Sequence, residues 1–336
     1  MKEQARQNER GREISRRELM GNAAAAAAFT MVPGGLLRAA NAATHEKPNS
    51  VIDGVRIGTI TYSYRSMETT AEGTLEAILK CGLSEIELMN GPVDDYVGLS
   101  SGGRRGGRGR RRRGEQMTDE QRKTQRQQQE ERLEQRLAVP MEKYRTLRKM
   151  YNDAGVNIHI VKFGNIGAES MTDEEIDNTF HVAKAMGATT ITRELSEDIA
   201  KRLGPFADKH KIWIGFHNHT QITPTTYDGD ILSYSDYLGI NLDIGHYVAG
   251  TGESPIPLME KHHERIVSLH LKDRTKAGGN LPWGQGETPI KEVLRAMRKN
   301  HWTFPADIEL EYRIPQGSDA VTEVIKCLQY CKEALA

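Results

Sequence analysis

From about Val55 to the C-terminus, short apolar runs alternate with segments of helical period, and this alternation constrains the fold more than any other feature of the chain. Strands are predicted at Val55–Ile60, Glu85–Met89, Val156–Val161, Thr189–Thr192, Ile212–Phe216, Gly239–Asp243, Ile266–Leu271 and Asp307–Leu310. Helices are predicted between them: Thr74–Cys81, a long one ending near Asn152, Asp173–Met186, Glu197–His210, Tyr227–Tyr237, Pro257–Arg265, Pro289–Lys299 and Ala320–Leu335. Eight strands, each followed by a helix, is the count of a closed (β/α)8 barrel, an α/β fold of ~250 residues. An open doubly wound sheet is the runner-up, disfavoured because no Gly-rich phosphate loop follows the first strand.

The 336-residue chain exceeds one barrel by a leader and an insertion. In residues 1–43, Ser15-Arg16-Arg17-Glu18-Leu19-Met20 carries a twin arginine, a mildly apolar stretch follows from Ala23 to Leu37, and Ala40-Asn41-Ala42 resembles a small-residue cleavage site. Three parts in this order predict a twin-arginine export signal and a periplasmic or secreted protein; the alternative is an Ala-rich helix or tail. Gly21, Asn22, Pro33, Gly34 and Gly35 make the stretch a poor membrane anchor, and no other segment suits a span. Formal net charge is zero, so overall charge predicts no partner. Cys81, Cys327 and Cys331 show no zinc-finger spacing and read as small buried hydrophobes.

The insertion spans about residues 100–136. Ser100 to Gly114 is a run of arginines spaced by glycines, predicted disordered. Glu115 to Arg136 is rich in Gln, Glu and Arg and reads as a solvated helix that grades into an amphipathic one at Tyr144, Leu147 and Tyr151. No aromatics interleave the arginines to stack bases, so no nucleic-acid partner is expected. The insertion follows the second strand and emerges on the barrel face that carries active sites.

The chemistry lies at the strand ends. In Val267-Ser268-Leu269-His270-Leu271-Lys272-Asp273, alternation puts Ser268, His270 and Lys272 on one face and the apolar residues on the other. Ionisable groups facing into a barrel are costly unless they bind or react with something. By the same parity, Glu87, Glu194, His217, His219, Asp243, Glu309 and Glu311 also face inward near strand ends. A lone histidine is more often structural than a ligand. Four successive strands delivering His217, Asp243, His270 and Glu309 form a ligand set for Zn²⁺, Mn²⁺, Co²⁺ or a similar ion.

Phe216-His217-Asn218-His219, Leu242-Asp243-Ile244-Gly245-His246, His270-Leu271-Lys272-Asp273 and Ile308-Glu309-Leu310-Glu311 resemble the xylose isomerase-like TIM-barrel superfamily. That group contains sugar and sugar-phosphate isomerases and epimerases, inosose dehydratases and endonuclease IV. The stretch Leu281-Pro282-Trp283-Gly284-Gln285-Gly286-Glu287-Thr288-Pro289 is similar to the loop after strand seven in secreted members. The resemblance implies one divalent metal (Mn, Zn, Co or Mg) on a strand-five Glu, strand-six Asp, strand-seven His and strand-eight Glu. His217 stands where the family has Glu, and Glu194 is the alternative carboxylate for that place.

The same resemblance implies an isomerase or epimerase that works through a metal-stabilised enediolate of a carbohydrate. Glu309 would be ligand and base together, with Glu194 the alternative base. Lys272, His246 and His219 are candidates for proton shuttling or for holding substrate hydroxyls, and His246 matches a position that contacts substrate or metal-bound water in relatives. For Lys272 a salt bridge with Asp273 is an equal alternative. Glu311 is expected to orient His270 or Lys272 and, with His219, to border the substrate. Trp283 and Tyr62 are candidate faces for a sugar ring, capping of the barrel being the alternative for Trp283. No phosphate loop is evident, which favours an unphosphorylated sugar or polyol. A lyase that dehydrates a keto-sugar or inosose would use the same residues, and a non-catalytic carbohydrate-binding barrel is a further alternative. An endonuclease IV-like enzyme needs extra ligands that the ends of strands two and three, Met89-Asn90 and Lys162-Phe163, do not offer. A homo-oligomer is compatible with the sequence.

Overall fold

A computed structural model describes residues 47–67, 70–99 and 118–336. The expected export signal (1–43) and the Arg/Gly run (100–114) lie outside the described residues. The barrel strands are β1 (Val55–Ile60), β2 (Glu85–Met89), β3 (Asn157–Lys162), β4 (Thr190–Glu194), β5 (Trp213–His217), β6 (Leu238–Asp243), β7 (Ile266–Leu271) and β8 (Ala306–Ile308). Each pairs in parallel with the next, and β8 pairs back onto β1 through Ile57–Ala306 and Thr59–Ile308. The sheet is therefore closed: a (β/α)8 barrel, as the alternation predicts. A short strand, Val51–Ile52, folds back antiparallel on β1. Its turn residues Asp53 and Gly54 both have positive φ, the conformation a two-residue hairpin of right-handed twist requires.

Ten α-helices follow among the described residues: α1 (Ala71–Cys81), α2 (Asn90–Val97), α3 (Asp119–Leu137), α4 (Met141–Asp153), α5 (Asp173–Met186), α6 (Glu197–His210), α7 (Ile244–Thr251), α8 (Ile256–His262), α9 (Ile290–Asn300) and α10 (Ala320–Leu335). Thr70, Thr172, Ser196 and Asp319 cap α1, α5, α6 and α10 through their side-chain oxygens, as short polar residues do at helix starts. None is long and apolar enough to cross a membrane.

The structure corrects three helical expectations. The long helix before β3 is two helices, broken ahead of Pro140, which has no N–H to offer a continuous helix. Residues 227–237 form two 3-10 turns, Thr226–Asp228 and Asp230–Leu232, because Gly229 between them is extended. Between β6 and the expected helix at Pro257–Arg265, which is present as α8 and a 3-10 turn, an unforeseen helix α7 intervenes, and Asp243 starts it by accepting a hydrogen bond from the His246 N–H (2.6 Å). The solvated helix expected in the insertion is α3, opened by a reciprocal Thr118–Gln121 cap and tied down by Arg136, which grips Asp94 with two nitrogens (2.9 and 3.2 Å).

The outward faces of the strands bury Ile86, Leu88, Ile191, Ile214, Leu242 and Leu269 against the helices. The barrel interior is polar. Near the strand starts, His159 Nε2 lies 2.8 Å from Asp307 Oδ2, and Arg56 grips Glu85. Gly58 leaves room there, since a Cβ would overlap the Asp307 carboxylate. In the middle layer, Thr192 Oγ1 donates to Glu87 Oε1 (2.6 Å) and Asn241 Nδ2 to Ser268 Oγ (2.5 Å). Apart from the half-buried Arg56 these groups are buried, and each has at least one polar partner, as a dry interior demands. The third layer, at the strand C-termini, holds His217, Asp243, His270, Lys272 and Glu309.

Candidate metal and active site

His217, Asp243, His270 and Glu309 each place one ligand atom within 4.8 Å of the others, and all four side chains are buried. They come from the ends of β5, β6 and β7 and from the residue just past β8. Glu309 is fixed there by its own N–H, which donates to Leu271 O (2.9 Å). Neighbouring contacts decide which atom of each is free. Asp243 Oδ1 is committed to the His246 N–H, leaving Oδ2. Nδ1 of His217 faces Asn241 Oδ1 (2.8 Å), so it carries the proton and Nε2 keeps the lone pair. Nε2 of His270 faces Glu87 Oε2 (2.8 Å), which turns Nδ1 toward Glu309.

His270 Nδ1 lies 2.9 Å from Glu309 Oε2, yet neither atom makes a hydrogen bond, and Asp243 Oδ2 is likewise without one. Three buried polar atoms of a four-residue cluster thus lack aligned hydrogen bonds and are met only by one another and by the Lys272 ammonium, whereas interiors normally satisfy such atoms. Ligands bonded to one ion at ~2.1 Å stand about 3 Å apart, so the donor set fits a divalent cation. Two carboxylates and two imidazoles would hold it, and the second carboxylate–imidazole contact, Glu87 to His270, is the kind that orients metal-binding histidines.

Without an ion, the charges packed into the cluster shift all four groups, and a cation entering it would have to displace the proton from His270. Burial alone would raise Glu309, but Lys272 and His270 outweigh it and hold its carboxyl well below the ordinary range. Burial raises Asp243 despite the nearby Lys272. Burial would depress His270, but Glu87 and Glu309 lift it to about 10. Burial, reinforced by Lys162, His270 and Lys272, keeps His217 well below the usual imidazole value and therefore neutral.

Above the cluster a cavity of about 210 Å³ opens, bordered by Tyr62, Lys162, Glu194, His219, His246, Lys272 and Glu311. Glu194 lies at its rim, with Oε2 2.8 Å from His219 Nε2 and Oε1 3.6 Å from Lys162. Of the two candidates for the first ligand place, His217 is the one in the four-residue cluster. His246 accepts a hydrogen bond at Nδ1 from Arg274, so its Nε2 bears the proton. Burial, with Lys272 and Arg274 beside it, pushes His246 down to about 2. His217, His219 and His246 also approach closely enough for a cation. That set would need the single free nitrogen of His217 and would have to displace Arg274 from His246. A third grouping, Asp177, His181 and His210, lies on α5 and α6, where Asp177 is already paired with Lys209 and His210. A larger hollow of about 550 Å³, beside Trp213 and Trp302, opens at the strand N-termini, away from all the converging ligands.

Two expectations change. Lys272 does not pair with Asp273: its Nζ sits among Asp243, Glu309 and Glu311. Asp273 instead accepts the N–H groups of Gly284 (2.8 Å), Gly286 (2.9 Å) and Thr288 (3.2 Å), folding the loop after β7. That loop carries Trp283 outward against Tyr330 of α10, so Trp283 does not border the central cavity, whereas Tyr62 does. Glu87, Asn241 and Arg274 were not assigned to the site from sequence. Strand parity marks Glu87 as inward-facing, but its reach to His270 follows only from barrel closure.

The profile of the xylose isomerase-like TIM barrel family matches residues 121–331. The chain belongs to that family. Inosose dehydratase of Clostridium tetani is 26% identical over 170 residues, which cover 43% of this chain and 56% of that one, so the chain spans about half the length of the curated relatives it matches. The probable 3-DHS dehydratase AsbF of Bacillus anthracis superposes with a TM-score of 0.56 at 13% identity, over 82% of this chain and 98% of that one. The D-psicose 3-epimerase of Clostridium cellulolyticum H10 superposes with a TM-score of 0.56 at 12% identity, over 84% of this chain and 99% of that one. At these identities the structural likeness shows the fold alone. These similar proteins include an epimerase and dehydratases.

Proposed function

We propose that the protein is a divalent-metal-dependent isomerase or epimerase of a small unphosphorylated ketose or polyol derivative. The observation that carries this reading is the convergence of four buried ligand side chains on the floor of a cavity with a carboxylate, Glu194, at its rim. A bound divalent ion supplies a Lewis acid there, which polarises a carbonyl and its neighbouring hydroxyl.

The chain's own residues do the rest. Glu194 takes the proton from the carbon beside the carbonyl, and His219 orients its carboxylate. His246 stays neutral, with Arg274 holding its tautomer, and donates Nε2–H to the substrate oxygen on which charge develops. Glu309, held ionised, suits a cation better than a carbon-bound proton. Proton return to the opposite face of the same carbon gives the epimer, and proton return to the neighbouring carbon gives the isomer. The twin-arginine reading of residues 1–43 would place this chemistry outside the cytoplasm.

The inosose dehydratase relative favours a second reading, in which the enediolate form of the substrate loses a hydroxyl instead of regaining a proton. Incubation of the Mn²⁺-supplemented protein with keto-sugars in D₂O separates the two. Deuterium at the carbon beside the carbonyl without loss of water supports isomerisation. An unsaturated product transfers the assignment to a dehydratase. Binding of sugar with neither outcome makes the protein a binding barrel.

A further inference from the structure

Lys272 follows the ligand His270 by two residues and is as buried as the ligands themselves, with 2% of its side chain exposed. Its Nζ lies 2.9 Å from Asp243 Oδ2, 2.9 Å from Glu309 Oε2 and 2.8 Å from Glu311 Oε2. Of the three, only the contact with Glu311 has hydrogen-bond alignment. Asp243 Oδ2 and Glu309 Oε2 are the two fully buried carboxylate oxygens of the cation cluster that lack an aligned hydrogen bond. An ammonium built into the chain thus stands against the same two carboxylates that any entering ion would use.

We propose that Lys272 competes with the divalent ion for Asp243 and Glu309, and so sets how tightly the cluster holds it, with Glu311 as the partner onto which the ammonium withdraws. This rests on the reading of His217, Asp243, His270 and Glu309 as a cation site. An ion bonded to both oxygens at ~2.1 Å shares them with a positive charge that a dry interior screens poorly. The ammonium is the group that yields, because it has a third carboxylate and the ion does not. The stem of Lys272 lies against Gly245, where a Cβ would overlap Lys272 Cγ, so the adjustment falls to the distal end of the side chain. Glu311 is less buried than the ligands, with 23% of its side chain exposed, and is steadied by Asn280 Nδ2 (3.3 Å). It offers the ammonium a position toward the cavity mouth.

The test is calorimetric titration of the chelator-treated full chain with Mn²⁺, for wild type, Lys272→Met, Glu311→Gln and the double variant. Removing the lysine charge at nearly equal length is expected to tighten Mn²⁺ binding at least tenfold. Glu311→Gln is expected to weaken it severalfold, because the ammonium loses its alternative partner, and the double variant should behave like Lys272→Met. If wild type binds Mn²⁺ and Lys272→Met binds it equally or less well, the competition is wrong while the metal site stands. If neither binds, the metal site itself falls and this inference with it. Binding by Lys272→Met alone supports the competition in its strongest form. Should Lys272→Met fail to fold, Glu311→Gln decides, and unchanged affinity there overturns the proposal.

Discussion

Glu87 Oε2 stands 2.8 Å from His270 Nε2, across a sequence separation of 183 residues, and both side chains are fully buried. The contact fixes the imidazole so that Nδ1 faces the Glu309 carboxylate. Carboxylates in this position typically account for 10–100-fold in metal affinity. Glu87→Gln keeps a hydrogen-bonding group for Thr192 but reverses or weakens the contact with His270. Mn²⁺ affinity should fall by at least tenfold, and the thermal midpoint without metal should fall as well, because a buried charge pair is broken. Unaltered affinity would show that His270 is oriented by packing alone.

His217 stands where the family resemblance implies a carboxylate. Imidazole suits zinc and cobalt, whereas carboxylate suits manganese and magnesium. Converting His217→Glu should shift selectivity toward Mn²⁺ over Zn²⁺ by about tenfold. Elemental analysis after incubation in equimolar mixtures of the two ions measures it, and an unchanged ratio would remove His217 from the ligand set.

At the opposite end of the barrel, His159 lies between Asp307 and Glu85. Burial would lower it, but the two carboxylates raise it from 6.5 to about 9. Burial would raise Glu85, but His159 and Arg56 bring it from 4.5 to about 2. The histidine's contribution is therefore complete below pH 6.5 and is lost as the pH rises toward 9. The glutamate's is complete above pH 4.5 and is lost as the pH falls toward 2. His159→Gln leaves the buried Asp307 carboxylate without its cation and Glu85 with Arg56 alone, and should cost about 3 kcal/mol. Denaturant melts should find the deficit largest between pH 4.5 and 6.5 and small near pH 9. A pH-independent deficit would mean that His159 acts through shape, not charge.

Asp273 gathers three backbone N–H groups of the loop that leads to α9. Asp273→Ala should destabilise the protein by ~2–4 kcal/mol, since hydrogen bonds to charged groups are the stronger kind. It should also open residues 274–288 to limited proteolysis. Arg274 leaves His246 as that loop loosens, so kcat/KM on the substrate should fall while Mn²⁺ affinity holds. Resistance to proteolysis equal to wild type would show that the loop is held by other contacts.

Much of this was legible in the chain. Alternation marked the strands to within a residue or two, because a parallel barrel strand must bury one face against helices and turn the other inward. The same parity brought His217, Asp243, His270 and Glu309 together without coordinates. What parity could not show was how each side chain spends its second atom. Asp243 gives one oxygen to the start of α7, a helix hidden in the apolar run Ile244 to Ala249 because it lacks a polar face. Lys272 chose three carboxylates over its neighbour Asp273, a choice set by the pairing of β7 with β6 on one side and β8 on the other. Trp283 followed the loop that Asp273 folds, so its proximity in sequence to strand seven gave no access to the cavity.

Closure of the barrel also has a consequence for how the molecule is assembled. Thr59 and Ser63 send their hydroxyls to Ile308 O, and Ser63 Oγ receives the N–H of Leu310, so the seam is stitched by residues from the two ends of the barrel's sequence. All four proposed ligands lie in the later half of the barrel, and Glu87, which aims one of them, lies in the earlier half. A chain emerging from synthesis therefore carries the group that aims the site before any of the four that would make it. Joining the seam is the step that brings the early group against the late ones.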